Sequence, residues 1–130
     1  MHEVYEFLKE VGIYYLATVE NGEPRVRPFG TIDLYDGKLT FLTGASKSVA
    51  AQLNAEPRIQ ISAVGADGKW IRLTADAARL NDTAAEEHML EAYPDLKAAY
   101  TAGDPNTAVY ALANGTADIN AGADVKTYTF

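Results

Sequence analysis

Apolar residues along this chain recur at two different spacings, and the switches between them divide it into elements. Val4, Phe7, Leu8 and Val11 hold the i, i+3, i+4, i+7 positions of one helical face. With Lys9 near the end and Gly12 just past the last turn, they predict a short N-terminal helix. From Ile13 to Val19 the residues are β-branched or aromatic, as in a strand, and Asn21-Gly22 supplies the pair that a type I′ hairpin turn requires. In the next strand, from Pro24, a period of two sends Arg25, Arg27, Phe29, Thr31 and Asp33 to one face. Val26, Pro28, Gly30, Ile32 and Leu34 go to the other. Proline has no backbone donor, so Pro28 marks an edge or a bulge where the backbone of Phe29 and Gly30 is free for a ligand. Asp36-Gly37 then turns the chain into a strand from Lys38 to Thr43.

Ser46 is placed to cap a helix from Lys47 to Asn54, whose Val49 and Leu53 share a face and which Pro57 stops. Two strands follow, Arg58 to Val64 and Trp70 to Leu80, joined across Asp67-Gly68. Trp70, Arg72, Thr74 and Asp76 share one face of the latter, which reads as functional or interfacial. Thr83-Ala84-Ala85-Glu86 has the form of a capping box, and Met89, Leu90 and Tyr93 give the helix after it an apolar side until Pro94. A second short helix runs through Leu96, Lys97 and Tyr100 to Gly103. Ala108 to Asn120 alternates as strand around Asn114-Gly115, a hairpin or a bulge, and Val125 to Phe130 closes the chain. Short strands, tight turns and few helices predict a mainly β protein of α+β type, its sheet closed on itself to remove exposed edges. No repeat or linker interrupts residues 1–130, so a single domain is expected.

Composition narrows the function. Hydrophobic residues make up 48% of the 130, generous for a chain this short, so part of the apolar surface is expected to meet a partner or a ligand. A net charge of −7 argues against a general nucleic-acid binder, which needs a basic field. There is no cysteine, hence no disulfide framework and no thiolate metal site. The acidic, amphipathic N-terminus is unlike a secretory leader, and no run of about 18 apolar residues occurs, so a soluble cytoplasmic protein without membrane contact is expected.

Against that acidic background the basic residues of Pro24–Leu53 stand out. Thr43-Gly44-Ala45-Ser46-Lys47-Ser48 leads from a strand into a helix, and a helix start exposes unpaired N–H groups at the positive end of its dipole. A lysine beside it suits a phosphate. Lys47 in a first turn is otherwise misplaced, since cations disfavour helix N-termini by roughly 0.3–1 kcal/mol. Arg25 reads as a solvated charge, and Trp70 fits packing as well as a ligand. His2 and His88 lie on separate helices with no further ligand at metal spacing, so no metal is expected. Glu86, Glu87 and Glu91 read as a solvated helix face, and neither an acid–base pair nor a nucleophile–base pair is discernible. Chemistry supplied by a cofactor fits that absence.

The ordered combination of Leu16-Ala17-Thr18-Val19, Gly22-Glu23-Pro24-Arg25-Val26-Arg27-Pro28-Phe29-Gly30, Leu39-Thr40-Phe41-Leu42-Thr43, Lys47-Ser48-Val49, Gln52-Leu53, Pro57 and Trp70-Ile71-Arg72-Leu73 resembles the pyridoxamine 5′-phosphate oxidase-like flavoproteins. The resemblance implies the FMN-binding split-barrel fold and a homodimer with FMN at the subunit interface. It places Arg27 and Lys47 on the FMN phosphate, with Thr43, Ser46 and Ser48 as hydrogen-bonding neighbours. The backbone around Pro28 and Phe29 would run along the flavin ring, and Trp70 and Arg72 would reach the cofactor of the other subunit. It further implies a flavin-dependent oxidoreductase of a small-molecule substrate, with an electron donor such as NAD(P)H. The alternative is a non-catalytic carrier of FMN, haem or deazaflavin. Pyridoxamine phosphate oxidases proper carry a longer C-terminal region that shapes the substrate pocket, so vitamin B6 oxidation is not the expected activity.

Overall fold

Tight turns order the architecture. Asn21 and Gly22 take φ of 51° and 80°, and Asp36 and Gly37 take 51° and 75°, the left-handed pairs that join twisted antiparallel strands. In the computed structural model, which describes residues 1–130, these turns link β1 (Tyr14–Glu20) to β2 (Glu23–Phe29) and β3 (Asp33–Tyr35) to β4 (Lys38–Gly44). Four more strands follow: β5 (Arg58–Val64), β6 (Trp70–Leu80), β7 (Thr107–Ala121) and β8 (Asp124–Thr129). The helices are α1 (His2–Val11), α2 (Ser48–Ala55) and α3 (Thr83–Ala92). Gly12, at φ 78°, ends α1 as its position predicts. No helix is long and apolar enough to cross a membrane.

All eight strands form one antiparallel sheet in the order β2-β1-β5-β6-β7-β4-β3, with β8 also on β7. The sheet is not closed, contrary to the expectation from edge removal. The strands at the two ends of that order, β2 and β3, are consecutive in sequence, and the gap between them is the split of a split barrel. The second strand therefore stops at Phe29, and Gly30-Thr31-Ile32 crosses from one edge to the other. Hydroxyl groups stand in for the lost ladder there. Tyr14 donates to the Thr31 carbonyl at 2.6 Å, and the Tyr93 oxygen accepts from Ile32 N–H and donates to Ile32 C=O, each at 3.0 Å.

Strand β7 carries two partners along one edge. Its first half pairs with β4 and its second half with β8, while β6 lies along the other edge. Asn114-Gly115 marks the changeover and is a bulge within one strand, with Asn114 at φ 53° and the β6 register shifting between Thr74 and Asp76. Gly115 is required there, because a Cβ would lie 2.3 Å from the Thr74 carbonyl and 2.8 Å from the Phe130 ring.

The inward residues alternate as period two dictates, and Ile59, Ile61 and Ala63 of β5 are buried while Arg58, Gln60, Ser62 and Val64 are exposed. Together with Leu16, Phe41, Ile71, Leu73 and Tyr110 they form the main core, onto which α1 lays Val4 and Leu8 and α2 lays Val49 and Leu53. Helix α3 packs Ala85, Met89 and Leu90 against Leu42 and Val109 in a second cluster.

Local capping departs from the sequence pattern in two places. Ser46 does not cap α2: the helix starts at Ser48, with Lys47 at the cap position in extended conformation and no side-chain cap. Asp82, one residue before the expected Thr83, caps α3 by accepting from Ala84 and Ala85 N–H, since a carboxylate is the stronger acceptor. Glu86 is then free of the capping box. Instead of facing solvent it is buried, 6% exposed, and accepts from Gly103 N–H at 2.8 Å, which ties down the segment after α3. That segment holds a short 3-10 helix over Pro94–Ala98, so the second short helix forms there but ends before Tyr100 and Gly103.

Candidate functional site

The crossover, the end of β4 and the start of α2 enclose a cleft of about 550 Å³. Its walls are Arg27, Pro28, Phe29, Gly30 and Thr31 from the end of β2 onward, Leu42 and Thr43 from β4, and Lys47, Ser48 and Val49 from the start of α2. Leu96 and Tyr100 of the segment after α3 complete the lining. The volume falls in the range of small-molecule and cofactor sites.

The turn before α2 is held by Asn106, which explains why Ser46 is no cap. Ala45 N–H donates to the Asn106 carbonyl at 2.9 Å, Ser46 N–H to the Asn106 side-chain oxygen at 3.0 Å, and Lys47 N–H to the Gly44 carbonyl at 3.0 Å. The next two N–H groups, on Ser48 and Val49, have no acceptor within the protein and lie at the positive end of the helix. Lys47 and Ser48 are both exposed beside them. The cleft thus presents two free amide donors, a hydroxyl and an ammonium at one point, the donor set that recognises a phosphate.

Arg27 reaches the same cleft from β2. Its Nη1 donates to the Leu16 carbonyl at 3.2 Å and to the Thr18 hydroxyl at 2.8 Å, and its Nη2 to the Gln52 side-chain oxygen at 2.6 Å. Three of the five N–H bonds of the guanidinium are thereby fixed, leaving Nε–H and one Nη2–H. Thr18 also donates to the Gln52 oxygen at 2.5 Å, and the Gln52 amide nitrogen donates to Glu20 at 3.4 Å. Burial lowers the Arg27 pKa from its ordinary value, and the charge of Glu20 acts in the opposite direction. Arg25, on the same strand face, instead pairs with Glu20 at 3.2 Å where both side chains are exposed, as a solvated charge does.

Of the residues singled out in the sequence, Arg27, Pro28, Phe29, Thr43, Lys47 and Ser48 come together in this one cleft. Ser46 is exposed in the adjoining turn and is not part of the lining. Trp70 and Arg72 lie away from it, on the outer face of β6, with the Arg72 guanidinium 5.1 Å from the Trp70 ring centre. Farther along that face Asp76 is bonded to Arg58 and Thr74 to Gln60. His88 lies in neither place and bonds Asp33 at 2.5 Å.

Sequence reasoning placed Thr18 and Gln52 in the family pattern but gave neither a role at the site. The hairpin register carries the signal for Thr18: Leu16 pairs with Arg27 and Thr18 with Arg25, so Thr18 is the diagonal neighbour of Arg27 on the inner face. Gln52 stands four residues after Ser48, on the same face of α2. Leu96, Tyr100 and Asn106 reach the site by tertiary packing alone.

A β sheet split between consecutive strands, with a phosphate-suited cleft where a crossover meets a helix start, defines the class of small split-barrel proteins. The family pattern described as pyridoxamine 5′-phosphate oxidase matches residues 1–119, and the chain belongs to that family. Within it the chain is similar to a NimC/NimA family protein from Clostridium acetobutylicum, at 37% identity and a TM-score of 0.96 over 100% of this chain and 92% of the other. General stress protein 26 from Bacillus anthracis superposes with a TM-score of 0.76 at 18% identity over the whole of both chains. A haem-binding protein from Mycobacterium smegmatis gives 0.76 at 18% identity, over 96% of this chain and 57% of the other. These two likenesses speak for the fold alone. No curated protein matches the chain.

Proposed function

We propose that the protein is an FMN-dependent oxidoreductase acting on a small molecule, with the FMN phosphate held where Arg27 and the start of α2 face one cleft. The observation that carries this reading is the convergence of the Arg27 guanidinium, the Lys47 ammonium and the free N–H groups of Ser48 and Val49 on that cleft. Arginine and lysine supply the charge for a dianion, and the amides and the Ser48 hydroxyl supply direction. The backbone of Pro28, Phe29 and Gly30, with the side chains of Leu42, Leu96 and Tyr100, lines the part of the cleft left for the ring. Bound FMN supplies hydride transfer, while the chain binds, orients and shields it from water. The absence of an acid–base pair from the lining agrees with that division of labour.

Haem is the competing ligand, because relatives of the same fold bind it. The cleft lining contains no histidine, methionine or cysteine, and Tyr100 is its one side chain of a type that ligates haem iron. The donor set therefore favours FMN.

The reading includes a homodimer. Tyr15, Val26 and Val64, 51%, 68% and 74% exposed, make the outer face of β1, β2 and β5 unusually apolar. Cross-strand register sets Pro28, Tyr15, Ser62 and Arg72 in one row, from the mouth of the cleft to β6. A second copy packed on this face brings its Trp70 and Arg72 toward the cleft of the first.

Titration of the purified protein with FMN and, separately, with haem tests the reading by visible spectroscopy. Flavin binding that perturbs the visible bands, followed by bleaching with NAD(P)H, is expected. The absence of measurable FMN affinity refutes it, and FMN binding without reduction by any donor reduces the protein to a carrier.

A further inference from the structure

We infer that Gln52 is a positioning residue for the anion site: it holds the Arg27 guanidinium in place while keeping the Glu20 carboxylate from neutralising it. The inference rests on Arg27 binding the FMN phosphate, as proposed above, and concerns a residue outside the cleft lining.

Gln52 is 5% exposed and Thr18 is 1% exposed, so the polar groups under Arg27 are withdrawn from solvent and each needs a partner. The amide divides them cleanly. Its oxygen accepts from Arg27 at 2.6 Å and from Thr18 at 2.5 Å, and its nitrogen faces Glu20 at 3.4 Å. The order is Arg25, Glu20, Gln52, Arg27, with the Thr18 hydroxyl bonded to the last two. No carboxylate lies within ion-pair distance of Arg27, although Glu20 is one side chain away and already pairs with Arg25.

Position 52 distinguishes three chemistries. An amide can accept from Arg27 and donate to Glu20 at once, with no net charge. A carboxylate there would accept from Arg27 as an ion pair, cancel the charge that an incoming phosphate needs, and repel Glu20. An aliphatic residue would leave the Arg27 Nη2 and the Thr18 hydroxyl without their acceptor, so that only the Nη1 side of the fork stays fixed. A glutamine here therefore serves the anion and not merely the packing of α2 on β1.

The test measures the affinities of FMN and riboflavin, which lacks the phosphate, for the full protein and its Gln52→Glu and Gln52→Leu variants, with thermal unfolding of each. Gln52→Glu is expected to weaken FMN by about tenfold or more, the loss of one charge-assisted contact, and to change riboflavin by less than about twofold. Gln52→Leu is expected to weaken FMN several-fold by the same selective route, and it decides the matter if Gln52→Glu fails to fold. In an Arg27→Ala background Gln52→Leu should not weaken FMN further, since the residue it acts through is gone. Equal loss of both flavins, or no loss of either, overturns the inference, because a packing role predicts one or the other. FMN binding that survives Gln52→Glu refutes this inference alone, whereas the absence of FMN binding by the unsubstituted protein refutes the proposed function and the inference together.

Discussion

Replacing Lys47 with alanine separates two effects of opposite sign. Lys47 occupies the cap position of α2 without making a side-chain cap, so its removal forfeits no capping hydrogen bond. What it does contribute to the free protein is a positive charge at the positive end of a helix, unfavourable by roughly 0.3–1 kcal/mol. The ligand-free variant should therefore gain that amount, a rise in Tm of about 1–4 °C for a domain of this size. With FMN the sign reverses. Loss of one exposed charge-assisted contact to phosphate removes about 1.5 kcal/mol, close to tenfold in Kd, while riboflavin should change by less than about twofold. Salt sharpens the assay: the FMN difference between the two proteins should shrink as ionic strength rises through the range where the Debye length falls below about 10 Å. Thermal unfolding without ligand and fluorescence titration with each flavin give all three quantities. A ligand-free variant that loses stability, together with equal weakening of FMN and riboflavin, would refute the reasoning and move the phosphate away from α2.

Other consequences of the structure are directly measurable. Gly115→Ala drives a Cβ to 2.3 Å from the Thr74 carbonyl, a backbone atom that cannot swing aside, and should destabilise by about 3 kcal/mol or more, read by urea unfolding; a loss below 1 kcal/mol would mean that the bulge yields. Tyr93→Phe strips both backbone groups of Ile32 of their partner and should lower stability by about 1–3 kcal/mol, with weaker FMN binding through the slackened crossover. Burial raises the pKa of Tyr14 well above 10.0 and that of Tyr110 above it too, so the folded protein retains protons that the unfolded chain releases. Their contribution is thus fully present below about pH 10 and lost as pH climbs through the folded values, and the phenolate absorbance of these two rings should appear only with alkaline unfolding.

What the sequence displays most clearly is short-range. Asn21-Gly22 and Asp36-Gly37 take the left-handed conformations that their side chains permit, and Gly12 ends α1, because each depends on neighbours a few residues away. Lys47 and Ser48 are recognisable for the same reason, being a charge and a hydroxyl at a strand-to-helix junction. The period-two pattern from Arg25 to Asp33, however, runs unbroken through Gly30, Thr31 and Ile32, where the chain leaves one edge of the sheet for the other. Only the pairing of β4 with β7, some sixty residues on, decides that crossing. Ser46 likewise has the chemistry of a cap, yet Asn106 fixes its backbone in a different geometry. The setting of Arg27 was half legible: the charge is visible in the strand, while the Thr18 and Gln52 partners that orient it emerge only from the hairpin register and the docking of α2.

The crossover has a further consequence as a fixed gauge. With β2 ending at Phe29 and β3 beginning at Asp33, the four peptide steps between those residues can span at most about 14 Å, so the split cannot gape wider at that end whatever enters it. Aperture is thereby written into chain length and not into side-chain choice. Inserting or deleting a residue between Gly30 and Ile32 would retune which guests are admitted while every contact residue stayed the same, a dial that point substitution does not reach.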